Sequence, residues 1–321
     1  VREESAVPDP SGRVTIDPRI SLQKLEILCL VVELGGVHAA ADRLFVSQPV
    51  VSAHLKLLQQ RVGLELLTRR GHRLVLTEAG RHVHAWAQEV LSRRSALERD
   101  LGDLAAGRGG TVTVAASMTV GSFHLPPVLT AFGRSRPDAR VTLLVSDPES
   151  ALRRTETGEC DFAVLVTDQP VDPALFEGEQ VGEDEFVLVA APDSDLPDEL
   201  PVAALGGIPA VCPPPNVAVR RLQDAELRLA GLAGRPIGME LGSAEAIKHA
   251  VAGGLGVALL SRAVVAADLA AGVLREIRLR GVRLRHPVTL VRRRDRRLTP
   301  VQRQLTEEIA RKLSPGQDNR L

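Results

Sequence analysis

The hydrophobic pattern of this chain changes period once, at Gly107-Arg108-Gly109-Gly110, and that change limits the possible folds more than any other feature. Before it, apolar residues recur at helical spacing. From Thr111 onward, short apolar runs alternate with amphipathic stretches. The first pattern buries helix faces against one another. The second is that of an α/β layer structure. A chain of 321 residues has room for both as separate domains.

In the first part, Ser21 is expected to cap a helix whose apolar face carries Leu22, Leu25, Leu28, Cys29 and Val32, with Gly35-Gly36 as its stop. A short helix over 37–44 follows, with Ala39, Ala40 and Ala41 permitting close helix approach. Phe45-Val46-Ser47 makes a turn, and Pro49 opens a third helix that Gly63 ends. The pattern gives that helix an apolar face of Val50, Val51, Leu55, Leu58 and Val62. Its other face carries Gln48, Ser52, His54, Lys56 and Gln59. Helix, tight turn and helix is the arrangement that places a second helix in a DNA major groove. The stretch RRGHR at 69–73 lies between apolar pairs, and Leu74-Val75-Leu76 reads as a strand, so a basic hairpin is expected to reach phosphates or a minor groove.

A long helix is predicted over 77–106. Val83, Val90, Leu97 and Leu104 repeat every seven residues, and no nearby segment offers them a partner, which predicts a seam between two copies of the chain. Arg94 interrupts the second row between Ala87 and Leu101. Beyond the hinge at 107–110, strands are predicted at 111–115, 141–145, 161–166, 185–190, 209–212, 257–260 and 287–292. Helices are predicted near 121–135, 148–157, 219–231, 243–253, 262–266 and 299–313. Open α/β sheets bind ligands beyond the carboxyl ends of their strands, which singles out Ser117, Met118, Thr119, Thr167, the loop 213–216 and Ser243. Ser117, Thr119 and Ser243 also stand at predicted helix N-termini, where hydroxyls and free N–H groups hold anions or simply cap.

Charge separates the same two parts. Residues 18–75 hold eight Lys/Arg against four Asp/Glu, whereas 111–291 hold 16 against 23. A basic module on an acidic body suits a polyanionic partner. The basic run at 292–297 reads as a solvated edge. Cys29, Cys160 and Cys212 are scattered, which excludes a zinc ribbon or a disulfide scaffold and fits a reducing compartment. Residues 1–18 read as a polar leader with no apolar core, and no run is apolar for long enough to span a membrane, so a cytoplasmic location is expected. No nucleophile elbow, zinc-protease helix or phosphate loop is present in the sequence. Neither a catalytic site, a metal site nor a cofactor is expected.

The segment HAAADRLFVSQPVVSAHLKLLQQRVGLELLTRRGHRLVLTEAG at 38–80 resembles the signature of LysR-type transcriptional regulators. The matching positions are Ala40-Ala41, Leu44, Ser47-Gln48-Pro49, Ser52, Val62-Gly63, Arg69, Leu76-Thr77 and Gly80. Gly36, Gln59 and Leu67 stand where Ser, Glu and Phe are common. Residues 114–129, 158–165 and 242–262 resemble that family's effector domain, most closely its sulfur-assimilation and carbon-fixation branch. The resemblance implies an N-terminal winged helix-turn-helix domain at 19–76, a dimerisation helix at 77–106 and an α/β effector domain at 111–321. The last would have the two-lobed fold of type 2 periplasmic binding proteins, with lobe I at about 111–185 and 287–315 and lobe II at about 186–286. It further implies DNA contacts from Arg43, Ser47, Gln48, Pro49, Ser52, Lys56, Arg69, Arg70 and Arg73. A small effector, anionic in character, would meet Ser117, Met118, Thr119, Thr167, Asn216 and Ser243. Partners would be promoter DNA, a co-inducer, further copies of the chain as a dimer or tetramer, and RNA polymerase. The branch's Gly-Ser-Gly-Thr-Arg loop is replaced here by VCPPPNVAVR, where three prolines lack N–H donors and Arg220 alone corresponds. The competing reading is a cytoplasmic small-molecule-binding protein without a transcriptional role.

Overall fold

A computed structural model of the chain describes residues 17–70, 73–105 and 109–314, apart from the side chains of 70, 73, 99, 100, 103 and 104. These residues divide after Leu101 into two compact units. The leader up to residue 16 and residues 107 and 108 of the 107–110 hinge lie outside the described residues.

The first unit runs α1 (Leu22–Glu33), α2 (Val37–Leu44), α3 (Gln48–Val62), β1 (Leu67–Arg70), β2 (Arg73–Leu76) and α4 (Glu78–Ala105). Its core joins Leu25, Leu28 and Val31 of α1 to Ala40 and Ala41 of α2. Val51, Leu55, Leu58 and Val62 of α3 and Val83 and Ala87 of α4 complete it. Ala40 and Ala41 are almost wholly buried, and their small side chains bring α2 close to its neighbours. The turn into α3 is set by Phe45, whose φ of 55° puts a non-glycine residue in the left-handed region. Its backbone N–H donates back to the Ala41 and Asp42 carbonyls.

Some expectations for this unit need correction. Leu22, assigned above to the apolar face of α1, is exposed, because it lies at the open first turn beside the buried stripe of Leu25, Leu28 and Val31. Ser21 stands at the N-cap of α1 but makes no side-chain cap bond; its hydroxyl accepts from Lys24 Nζ at 3.1 Å. Val50, assigned above to the buried face of α3, is exposed, because the stripe through Val51, Leu55, Leu58 and Val62 already satisfies the core.

The second unit begins with β3 (Thr111–Ser117), which leads into a π-helical turn at Val120–His124 and then α5 (Leu125–Ser135). Then come β4 (Arg140–Ser146), α6 (Pro148–Glu156), β5 (Phe162–Leu165) and the long β6 (Phe176–Ala190). After β6 lie β7 (Glu199–Pro201), β8 (Ala210–Cys212), α7 (Ala218–Leu229), β9 (Ile237–Glu240) and α8 (Ala244–Ala252). The unit closes with β10 (Ala258–Ser261), α9 (Arg262–Ala270), β11 (Arg275–Arg280), β12 (Leu284–Arg293) and α10 (Pro300–Leu313). Seven strands follow the order β4-β3-β5-β12-β6-β11-β7, and β10 also pairs with β6.

Two lobes share this sheet. Lobe I packs α5 and α10 on β3, β5, β12 and the first part of β6, with Phe132, Phe162, Leu125 and Leu305 in its centre. Lobe II packs α7, α8 and α9 around the end of β6 and β8, β10 and β11, in two clusters centred on Leu188, Leu205 and Leu259 and on Val189, Ile247 and Val265. Among the described residues, only the strands β6 and β12 run between them. They pair antiparallel from Phe176–Arg293 to Phe186–Leu284, with a register shift after Val288. Beyond Phe186, β6 changes partners to β10 and β11. A bulge of this kind bends and twists the ladder, which suits a crossing between lobes.

Candidate nucleic-acid interface and effector cleft

With about 100° per residue around a helix, Gln48, Pro49, Ser52 and Lys56 fall on one side of α3, roughly a quarter-turn from the buried stripe. All four are exposed. The residues around the turn form a shallow open concavity that includes His38, Asp42, Ser47, Gln48 and Ser52. Ser47 is the N-cap of α3, yet its hydroxyl makes no cap bond, and no acidic residue stands in the first turn. This end of the helix therefore carries its positive dipole and a free hydroxyl outward, which favours an anion such as a DNA phosphate. Gln48 Nε2 donates to His38 Nδ1 at 2.8 Å, and His38 Nε2 faces Asp42 Oδ2 at 3.7 Å. The Gln48 amide is thus oriented before any partner arrives. Arg43 and Arg69 are exposed as well; of the side chains of Arg70 and Arg73, which lie outside the description, nothing follows.

The wing is held by a residue that the sequence marked only as a departure from the common Glu. Gln59 Oε1 accepts from the backbone N–H of Leu66 at 2.8 Å and of Leu67 at 3.2 Å, which fixes the start of β1 to α3. Thr77 donates to the Glu65 carbonyl at 2.6 Å and accepts from Gly80 N–H at 2.9 Å, closing the far side of the hairpin. A Cβ at position 80 would lie 1.9 Å from the Leu66 carbonyl oxygen, so only glycine fits there.

The predicted seam on α4 divides in two. Val83 is buried in the unit's own core and Val90 packs at its edge, so Val83 is corrected from a seam residue to a core residue; α1 and α3 supply the neighbour that seemed missing. Leu97 and Leu101 are more than half exposed, and Trp86 is also at the surface. Of Leu104, only its helical backbone is described.

In the second unit the sequence-predicted effector residues gather on two rims. On lobe I, the buried Ser117 hydroxyl at the end of β3 accepts from Val166 N–H at 3.2 Å, joining the ends of β3 and β5. Met118 is exposed and not part of the core. Thr119 makes no cap bond, and Thr167 Oγ1 accepts from Gln169 N–H at 3.0 Å. On lobe II, parallel pairing of β8 with β9 sets the 213–217 loop beside 241–243. There Ser243 is an ordinary N-cap, accepting from Ala246 N–H at 3.1 Å.

Arg220, the one arginine expected to face a ligand, is turned inward. It donates to Asp224 at 2.6 Å, to Cys212 Sγ at 2.8 Å and to the Pro213 carbonyl at 2.9 Å, with Glu240 at 3.4 Å. Burial keeps the Cys212 thiol above its usual range and pushes Cys29 up to about 11, so both read as packing residues. The accessible cation is the next residue. Arg221 donates from Nε to Asp168 Oδ2 at 2.5 Å and from Nη2 to Asp168 Oδ1 at 3.0 Å, while Nη1 reaches the Asn216 carbonyl at 2.7 Å. Those hydrogen bonds hold the Asp168 carboxyl below the usual carboxylate range, so it stays ionised at neutral pH. Asp168 follows β5 in lobe I and Arg221 lies on α7 in lobe II, so the pair closes across the rims.

A second tie sits deeper. Asp184 of β6, almost fully buried, accepts from Ser261 Oγ at 2.5 Å and from His124 Nε2 at 3.1 Å. The 292–297 run is not a free basic edge. Arg296 pairs with buried Asp161 at 2.7 Å, and Arg292 and Arg294 both face Glu177.

The arrangement defines a class: a helix-turn-helix DNA-binding unit joined to a two-lobed ligand-binding unit. Residues 22–81 match the bacterial regulatory helix-turn-helix protein, lysR family, and residues 105–314 match the LysR substrate binding domain. The chain belongs to the LysR family of transcriptional regulators. The "Probable RuBisCO transcriptional regulator" of Nostoc sp. is 31% identical over 283 residues, covering 86% of this chain and 83% of that one. Among solved structures, CbnR, a LysR family transcriptional regulator, aligns with a TM-score of 0.66 at 21% identity over 92% of this chain and 99% of its own. The CcmR regulatory domain of Synechocystis PCC6803, solved in complex with 2-PG, aligns with a TM-score of 0.56 at 21% identity over 63% of this chain and 97% of its own. The resemblance on 38–80 and the α/β expectation for the remainder are both upheld. A transcriptional regulator, neither an enzyme nor a stand-alone binding protein, is what the family defines.

Proposed function

We propose that the chain controls transcription by reading promoter DNA with the first half of α3. Gln48 and Ser52 meet base edges in the major groove; Arg43, Ser47, Pro49 and Lys56 and the wing arginines Arg69, Arg70 and Arg73 meet the backbone. The observation that carries this reading is the exposed row Gln48, Pro49, Ser52 and Lys56 at an uncapped helix start, beside a fully packed stripe. Residues 19–76 then form the DNA-binding domain, 77–106 the dimerisation helix and 111–321 the effector domain. The chain works in the cytoplasm as a dimer or tetramer in which α4, through the outward Leu97 and Leu101, faces a second copy.

The effector is a small anion bound between the two lobe rims, near Ser117, Thr119, Thr167, Asn216 and Ser243. Likeness to a RuBisCO regulator and to a regulatory domain bound to 2-PG supports a metabolic anion and a carbon-fixation operon. Binding shifts the assembly between states only as far as the anion prefers one of them. No protein cofactor takes part. The test is fluorescence anisotropy of the purified chain on the DNA upstream of its own gene over a salt series. The logarithm of affinity should fall steeply and linearly with the logarithm of salt concentration, and Lys56→Ala should make that slope shallower by about one unit. A salt-insensitive affinity would contradict the phosphate contacts.

A further inference from the structure

The proline loop removes the N–H groups with which the related loop would meet an anion, and Arg220 is already spent on Asp224, Cys212 and Pro213. Recognition of a negative ligand at this rim therefore needs another cation. Resting on the reading of the rims as the effector site, we propose that Arg221 receives the effector's anionic group and that Asp168 occupies it when no effector is bound. The carboxylate of Asp168 presents two oxygens to Nε and Nη2, at 2.5 and 3.0 Å. A ligand carboxylate or phosphate uses the same two-oxygen geometry on a guanidinium. Arg221 is already aimed, because Nη1 is tied to the Asn216 carbonyl of the proline loop at 2.7 Å.

The accessibilities have the order this exchange needs. The Arg221 side chain is 43% exposed, whereas that of Asp168 is 13% exposed. Partly exposed ion pairs contribute little net stability, so a ligand at ordinary metabolite concentration can displace the internal carboxylate. Leu222, the next residue on α7, also reaches across to pack against the lobe I core. The exchange replaces a bond between lobes by a bridge through the ligand, which couples occupancy to the spacing of the rims.

The test titrates inorganic phosphate and 2-phosphoglycolate, separately, into the full chain and its D168N, R221Q and D168N/R221Q variants by calorimetry. Removing the competing carboxylate should tighten binding of both anions roughly tenfold or more in D168N, because a fixed like charge no longer opposes the ligand. R221Q and the double variant should lose binding. Equal binding by all four proteins would overturn the assignment to Arg221 while leaving an effector site elsewhere on the rims. An unchanged affinity in D168N would overturn the competition. Absence of binding in all four would overturn the inference too, while the anisotropy measurement above continues to judge the regulator reading by itself.

Discussion

Gln59 shows what a single side chain does in this fold and how far the sequence reveals it. Its place on the polar side of α3 was legible, but its use was not, because its two partners, Leu66 and Leu67, lie beyond the helix stop at Gly63. Replacing it by Leu leaves two backbone donors without an acceptor and should lower the stability of the N-terminal unit by about 1–3 kcal/mol. Gln59→Glu, which keeps an acceptor, should melt close to the parent in a thermal denaturation series. Gln48→Ala should reduce DNA affinity by about 1–3 kcal/mol and flatten base preference at one position of the site, measured by anisotropy on single-base operator variants. Asp168 and Arg221 escaped the sequence for a simpler reason: 53 positions separate them, and only the closure of the lobes brings them together.

His286 supplies a pH prediction. Burial lowers its pKa from the ordinary 6.5, and its Nε2 has no hydrogen-bond partner among the described residues. The folded state therefore binds this proton less readily than the unfolded state, and stability falls as pH drops through 6.5 and below. Tm should decline between neutral pH and pH 5, and His286→Phe should make that decline shallower in a calorimetric series. His84, lowered by burial in the same direction, keeps the remainder.

Among the elements, α4 and β6 mark the two ways a pattern misleads. The seven-residue spacing on α4 was plain, but spacing cannot tell a neighbour in the same unit from a second copy; Val83 went to the former. What stays outward is Leu97 and Leu101. Leu97→Glu combined with Leu101→Glu should convert a dimer to a monomer in sedimentation velocity while leaving the helical signal of the DNA-binding unit intact. On β6 only the continuous apolar part near 185–190 read as strand. The preceding stretch from Phe176 carries Glu177, Glu179, Glu183 and Asp184, and it is strand because β12 supplies its ladder and Arg292 and Arg285 its counter-charges. β11 was missed likewise, since Arg275, Glu276, Arg278 and Arg280 fill four of its six positions and only Ile277 is buried. Helices with one clear apolar stripe, such as α3 and α10, were read within a residue or two.

The molecule as a whole joins two units with different chemistry. One offers a short basic helix-turn-helix with an open helix start, and the other offers paired lobes tied by Asp168–Arg221 at the rim and His124–Asp184–Ser261 beneath it. Under the function proposed above, a small anion at the rims shifts the preferred state of the effector domain, and a dimeric arrangement of the DNA-binding units carries that shift to the promoter. Footprinting of the full chain on the DNA beside its own gene, with and without 2-phosphoglycolate and inorganic phosphate, tests this most directly. The account predicts protection over several helical turns that shortens or shifts when an anion is added. Absence of protection at low salt would contradict it.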